Sequence, residues 1–151
     1  MERFRVAAAA AIVMVGALVS GIAAHTAPAA ANGNPAGALN GVYRVQHTEK
    51  ELAALGTTAK YARGNAGVAT WTLKDGLYQY HLVNSHNTTT CRGPYRLDGK
   101  QVAFDLNVKD CHGIVRATWS LRNGWLRFQV GVATDPGDAK WFASKPWKKI
   151  G

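Results

Sequence analysis

Apolar and polar positions alternate in three stretches of the chain, and each stretch surrounds a two-residue turn signal. The signals are Asp75-Gly76, Asp98-Gly99 and Asn123-Gly124, dipeptides preferred where both central residues of a hairpin turn take positive φ. Around each dipeptide, residues that would lie opposite each other are both apolar or both polar. Three hairpins that separate inward from outward residues in the same way predict an antiparallel sheet with one buried face.

The turn signals also predict the register of each hairpin, because a two-residue turn determines which side chains lie opposite one another. With each dipeptide as the central turn residues, the first hairpin pairs Trp71 with Tyr80, and the third pairs Trp119 with Phe128. The middle hairpin is predicted to pair Tyr95 with Val102, Gly93 with Phe104, Arg92 with Asp105 and Arg96 with Gln101.

Further elements flank these hairpins. Residues 41–45 predict a first strand, Thr48-x-x-Glu51 is a capping box that opens a short helix, residues 58–63 predict a second helix, and residues 145–150 a closing strand. Eight strands curl readily into a barrel. We therefore predict a mainly β fold, an eight-stranded antiparallel up-and-down barrel with a short helical pair between strands 1 and 2. A β-sandwich is the alternative.

The N-terminal segment has the composition of a targeting sequence. Arg3 and Arg5 precede an uncharged run of small and apolar residues at 6–19, and the alanine-rich residues 23–31 offer Ala-x-Ala cleavage sites. This pattern is typical of a cleaved secretory signal peptide, and an uncleaved membrane anchor is the alternative. The predicted organisation is a signal peptide at 1–31, a flexible lead at 32–38 and a single barrel domain at 39–151, with the mature protein secreted.

The predicted topology gives the barrel two different ends. The three tight turns lie at one end, whereas the helical pair and the loops 84–90, 109–113 and 132–140 lie at the other, which we call the mouth. Cys91 and Cys111 both lie at this rim. Because two cysteines in an exported chain usually pair, we predict one disulfide between them.

Residues 39–151 resemble the calycin superfamily, which includes lipocalins and fatty-acid-binding proteins. The resemblance rests on the Gly41-x-Tyr43 start of the first strand, the helical pair over the mouth and the up-and-down meander. Tyr43 stands where those families carry Trp. The Trp-Thr-Leu-x-Asp-Gly hairpin and the Lys-Pro-Trp-Lys-Lys-Ile-Gly end are also similar to small exported proteins of high-GC Gram-positive bacteria. The resemblance implies a barrel with an apolar ligand and carries over no catalytic residue.

The inward aromatic side chains either fill the barrel or line a pocket at its mouth. Gly93 and Ala117 are small residues among large ones, which favours open space near the mouth. A small apolar ligand bound there, under the helical pair, is the leading functional hypothesis. The predicted ligand-binding residues are Tyr80, Leu82, Gly93, Phe104, Leu106, Ala117, Phe128 and Val130.

Charge suggests a second hypothesis, since the chain carries 18 Lys and Arg against 9 Asp and Glu, a formal charge of +9. An outward basic face either solubilises the protein or contacts an anionic envelope surface. An envelope-associated interaction or inhibitory protein is therefore the alternative function. We expect a monomer, and no nucleic-acid partner because Trp125 is the only outward stacking ring. The predicted anionic-partner face consists of Arg92, Arg96, Arg116, Arg122 and Arg127.

Catalysis is the third hypothesis, as a barrel isomerase or cyclase or as a metal or haem protein. The mouth histidines His47, His86 and His112 are the candidate ligands, although they lack His-x-His or His-x₃-His spacing. Carboxylates are assigned to helix starts, turns, the outer face and the rim loops, so no paired acids project into the barrel. We expect no catalytic residue and no cofactor. The carboxylates assigned to the rim loops are Asp110, Asp135 and Asp138.

Overall fold

The computed structural model describes residues 35–107 and 111–151. The predicted signal peptide, the first part of the predicted lead and Asp110 lie outside these residues. The described chain forms a closed barrel in which each strand pairs antiparallel with the next and the first pairs with the last, which confirms the predicted fold. The strands are β1 (Gly41–His47), β2 (Gly67–Lys74), β3 (Leu77–Val83), β4 (Thr88–Asp98), β5 (Gln101–Asp105), β6 (Ile114–Arg122), β7 (Trp125–Ala133) and β8 (Trp147–Lys149).

The helical pair lies between β1 and β2 as predicted, with α1 at Glu49–Ala54 and α2 at Ala59–Asn65. The predicted capping box is present: Thr48 Oγ1 accepts the amide of Glu51 at 3.2 Å, and the Glu51 carboxylate accepts the amide of Thr48 at 2.8 Å. Part of the predicted flexible lead belongs to a 3-10 helix, Pro35–Leu39, whose last residue is fully buried. No helix in the described ranges is long and apolar enough to cross a membrane.

A third helix, α3 (Pro136–Ser144), occupies much of the predicted loop 132–140. Asp135 caps it, because its Oδ1 accepts the amide of Gly137 at 2.6 Å, and Pro136 sits in the first turn, where proline is tolerated. Trp141 and Phe142 are buried in its second half. The loop prediction was therefore wrong: an Asp-Pro start and two buried aromatic rings stabilise a helix here.

The first and third hairpins have the predicted register, whereas the middle one does not. Gly99 and Lys100 are the central turn residues, with Asp98 opposite Gln101 and positive φ at Gly99 alone. A type II′ turn has positive φ at its first central residue alone, and that residue is usually glycine. The register therefore shifts by two residues, which leaves every side chain on its predicted face. The observed neighbours are Tyr95 with Phe104, Leu97 with Val102, Arg96 with Ala103 and Arg92 with Gln79.

Aromatic rings fill the barrel below its mouth. The ring of Trp71 lies 4.3 Å from that of Phe104, 5.0 Å from that of Phe142 and 5.6 Å from that of Trp147. All four residues are buried. Aromatic pairs at these separations stabilise beyond their burial, by about 0.5–1.5 kcal/mol each. Of the two roles considered for the inward aromatic side chains, filling the barrel therefore applies to the lower part of the interior.

The space expected beside Gly93 is occupied by Tyr78. A Cβ at Gly93 would lie 2.8 Å from the Tyr78 hydroxyl oxygen and 2.9 Å from the carbonyl oxygen of Asp105. The Tyr78 hydroxyl donates to that carbonyl at 2.8 Å, and burial raises the pKa of Tyr78 to about 12. The residue at position 93 has to be small because the Tyr78 side chain packs against it. The small size of Gly93 therefore leaves no space for a ligand.

The predicted disulfide joins Cys91 to Cys111, with Cα atoms 6.0 Å apart and a sequence separation of 20. Cys91 lies within β4, which begins at Thr88 inside the predicted loop 84–90. The bond therefore ties β4 to the segment that precedes β6, on the mouth side of the barrel.

Replacing both cysteines by alanine should lower the free energy of unfolding by about 3 kcal/mol, because the cross-link restricts a loop of this length in the unfolded chain. Urea denaturation of the oxidised wild type and of the Cys91→Ala/Cys111→Ala variant measures the difference. Equal stabilities would contradict this role of the disulfide.

Candidate ligand-binding site

A pocket of about 380 Å³ opens at the mouth between α2, α3 and the barrel rim. Its lining combines aromatic and aliphatic side chains with several polar groups, and ligand sites generally contain both kinds of group. The apolar lining includes Trp71, Leu82, Leu106, Trp141 and Phe142. The polar lining includes Tyr61, Tyr80, His112, Asp135 and Asp138.

Only part of the predicted ligand-binding set lines this pocket: Tyr80, Leu82 and Leu106. Phe142 of α3 enters the barrel, with its ring 6.2 Å from that of Phe104 and 5.9 Å from that of Phe128. The Phe142 ring thereby occupies the space deeper in the barrel, where the sequence predicted part of the ligand site. The predicted residues that do not line the pocket are Gly93, Phe104, Ala117, Phe128 and Val130. Ala117 and Val130 instead border a separate depression of about 790 Å³ across β4 to β7.

One face of α3 builds much of the pocket wall. Asp138, Trp141 and Phe142 have the spacing i, i+3 and i+4, which places side chains on the same side of a helix. The indole Nε1 of Trp141 donates to the carbonyl of Asn65 at 3.2 Å and so ties α3 to α2. Sequence reasoning missed these residues because it assigned most of the segment to a loop. The Asp135-Pro136 pair was the signal that could have found them.

Asp138 is the half-buried carboxylate of the pocket. The hydroxyl of Tyr61 donates to its Oδ1 at 2.7 Å, and the other carboxylate oxygen accepts no hydrogen bond from the described residues. Burial raises the pKa of Asp138, the hydrogen bond from Tyr61 lowers it, and the nearby charge of Asp135 raises it further; the net change is upward. The expectation that Asp138 lies in a rim loop was wrong.

Tyr80 lies close enough to Asp138 for the two groups to interact electrostatically. Burial raises the pKa of Tyr80, and the charge of Asp138 raises it further. Within the part of the chain that the structure describes, the Tyr80 hydroxyl has no hydrogen-bond partner. Its ring stands nearly perpendicular to that of Trp141, at 82° and with centroids 5.9 Å apart. The two rings therefore form a corner of the pocket.

The three candidate metal-binding histidines do not converge. His47 is buried with its ring 5.3 Å from that of Trp141, while the exposed His86 lies 3.5 Å from a carboxylate oxygen of Glu49. His112 is exposed at the pocket rim. Across residues 35–107 and 111–151, no three His, Cys, Asp or Glu side chains are grouped so as to hold a metal ion.

His47 is held in its neutral form. The Ser144 hydroxyl donates to the carbonyl of Trp141 at 2.8 Å, so the 3.4 Å contact between Ser144 Oγ and His47 Nε2 requires a proton on Nε2. The buried Nδ1 atom is left without a partner. Burial is the main cause that lowers the pKa of His47 to about 4; the charge of Lys145 adds to it, and that of Glu51 opposes it.

The predicted basic face is exposed as expected. None of its arginines forms an ion pair with a carboxylate among the described residues. Arg96 and Arg116 flank Ala103 on neighbouring strands and border the depression across β4 to β7. The exposed members of the face are Arg92, Arg96, Arg116, Arg122 and Arg127.

Comparison of the chain with protein families, with curated proteins and with solved structures finds no match in any of the three. The closed eight-stranded barrel is compatible with the calycin-like fold that the sequence resembles.

His47 should make stability depend on pH. The pKa of His47 is lower in the folded protein than in the unfolded chain. Its contribution to the free energy of unfolding is therefore complete above about pH 6.5 and is lost as the pH falls toward 4. The wild type should therefore lose about 2–3 kcal/mol more between pH 7 and 4.5 than a His47→Gln variant. Urea denaturation at both pH values measures this difference.

Asp138 has the opposite effect on the pH dependence of stability, because its pKa is raised in the folded protein. It is present both in the wild type and in His47→Gln, so its effect cancels when the two are compared. A His86→Gln variant, which removes an exposed histidine, should keep the wild-type pH dependence. Equal losses in the wild type and in His47→Gln would refute the assignment to His47.

Proposed function

We propose that the protein is an exported, calycin-like carrier or sequestering protein that binds a small apolar ligand in the mouth pocket. The observation that supports this most directly is the pocket itself, with Trp71, Leu82 and Leu106 in its lining and about 380 Å³ of space. Apolar surface left open there is stabilised by a guest at about 25 cal/mol per Å². The disulfide and the signal-peptide pattern at residues 1–31 support export.

The helical pair over the mouth can act as a lid, whereas α3 is anchored in the core by Phe142. Few polar contacts join the helical pair to α3 and its C-cap residue. Trp141 donates to Asn65, and Tyr61 donates to Asp138. The ammonium groups of Lys140 and Lys145 donate to the carbonyl of Gly56 and to the Glu51 carboxylate, both at 2.6 Å. Segments held by a few contacts open on the microsecond-to-millisecond scale. Ligand entry then requires displacement of the helical pair and leaves α3 and the barrel strands in place.

A Gly64→Trp substitution should block the pocket. Gly64 lies in α2, lines the pocket and has no atom within 4 Å of where its Cβ would be, and its φ is not positive. The uncharged dye N-phenyl-1-naphthylamine should fluoresce with the wild type, and the substitution should weaken its binding at least about tenfold. Fluorescence titration measures the affinity, and thermal melting confirms the fold.

Gly131→Trp is the matched control, because Gly131 also lacks positive φ and lies away from the mouth pocket, in the depression across β4 to β7. It should bind the dye as the wild type does. Absence of dye binding to the wild type, or equal effects of both substitutions, would contradict the proposed site.

An anionic envelope surface is the second candidate function, and one surface row favours it. Across β6, β7, β8 and β1, Arg122 lies opposite Trp125, Trp125 opposite Lys148, and Lys148 opposite Arg44. Trp125 is 44 % exposed. An exposed indole between cations is suited to the interface of an anionic membrane, where aromatic rings and basic side chains both bind.

Charge reversal tests this second candidate. An Arg122→Glu/Lys148→Glu variant should bind phosphatidylglycerol vesicles much more weakly than the wild type, whose own binding should fall steeply as salt is raised. The control is Lys50→Glu/Lys60→Glu, which makes the same charge change on the helical pair. Vesicle binding is measured by co-sedimentation. If neither salt nor the Arg122→Glu/Lys148→Glu variant changes it, the membrane proposal is contradicted and the basic surface only solubilises the protein.

A further inference from the structure

The mouth pocket has a charge opposite to that of the whole chain. The chain carries a formal charge of +9, yet the described residues that line the pocket include Asp135 and Asp138 and no Lys or Arg. His112 is the only basic side chain in that lining, and it is exposed at the rim. A ligand with a carboxylate, such as a fatty acid, would meet a carboxylate there without a cation to pair with.

The polar groups nearest the carboxylate leave one side of it open. Tyr61 of α2 donates to Oδ1 of Asp138, and Asp135 uses its own Oδ1 on the amide of Gly137. The second oxygen of Asp138 therefore remains available, and Tyr80 of β3 lines the same pocket with a hydroxyl that can act as a further acceptor. A ligand group that donates several hydrogen bonds and carries positive charge satisfies both acceptors.

Aromatic rings surround the same space. Tyr80 and Trp141 form the perpendicular corner described above, and Trp141 lies one helical turn after Asp138 on the same face of α3. A cation beside such rings is attracted to their faces, by about 0.5–2 kcal/mol according to how far it is desolvated. The carboxylate and the rings thus favour the same kind of ligand group.

We infer that the mouth pocket selects small ligands that combine an apolar or aromatic body with a cationic amine, with Asp138 as the counter-ion. This inference rests on the proposed function, whose apolar pocket holds the body of the ligand. The amine donates to the open oxygen of Asp138 and to the Tyr80 hydroxyl, while the body packs on Trp71, Leu82 and Leu106. The Tyr61 hydroxyl positions the carboxylate.

Two probes that differ only at the polar group test the inference. 2-Phenylethylamine carries a cationic amine at neutral pH, and 2-phenylethanol carries a neutral hydroxyl on the same body. Isothermal titration calorimetry should show that the wild type binds the amine at least about tenfold more tightly. Asp138→Asn keeps the shape of the side chain and should remove this preference, chiefly by weakening the binding of the amine.

Asp98→Asn is the matched control, since it makes the same charge change at the exposed tight-turn end of the barrel. It should retain the preference for the amine. If Asp138→Asn does not fold, nuclear Overhauser contacts in the wild type provide an independent measurement. The methylene protons of the bound amine should contact the ring protons of Tyr80 and Trp141.

The outcomes separate this inference from the proposed function. Equal affinity of the wild type for both probes, a preference that survives Asp138→Asn, or a bound amine without contacts to those rings would overturn the inference and leave the carrier function intact. Failure of both probes and of N-phenyl-1-naphthylamine to bind would overturn both.

Discussion

Packing around Trp71 determines how the inside of this barrel is used. Its indole contacts aromatic rings from four strands and from α3, so most of the interior that eight strands enclose is filled by side chains. Any change in its size would have to be absorbed by several neighbours at once. The rings are those of Tyr78, Tyr80, Phe104, Phe128, Phe142 and Trp147.

This packing leaves the open volume at the mouth, where α3 both closes the barrel and supplies the pocket wall. Phe142 continues the aromatic core, whereas Trp141 and Asp138 line the space above it. One short helix therefore connects the stability of the core with the chemistry of the site. His47 contacts Trp141 and Ser144 of the same helix, so protonation of His47 would disturb the packing of α3 against the barrel.

Sequence reasoning predicted the barrel because hairpin turns and alternation are local signals that a sheet obeys. It misplaced the middle turn by one residue, since Asp98-Gly99 and Gly99-Lys100 are both acceptable two-residue turns and the choice depends on pairing across the barrel. It missed α3 because it did not use the local Asp135-Pro136 start signal, and because the burial of the rings of α3 against distant strands cannot be seen in the sequence. The pocket residues Asp138 and Trp141 were missed with it, and Gly93 was misread because Tyr78 crosses it from a neighbouring strand.

On the proposed function, this protein binds a small molecule in the open space under α3 rather than at its outer surface. A nuclear magnetic resonance titration of the isotope-labelled protein with indole, a neutral apolar probe, tests it most directly. We expect saturable shifts at the methyl groups of Leu82 and Leu106 and at the indole N–H of Trp141. Saturable shifts confined to the residues around Arg96 and Arg116, or no shifts at all, would contradict it.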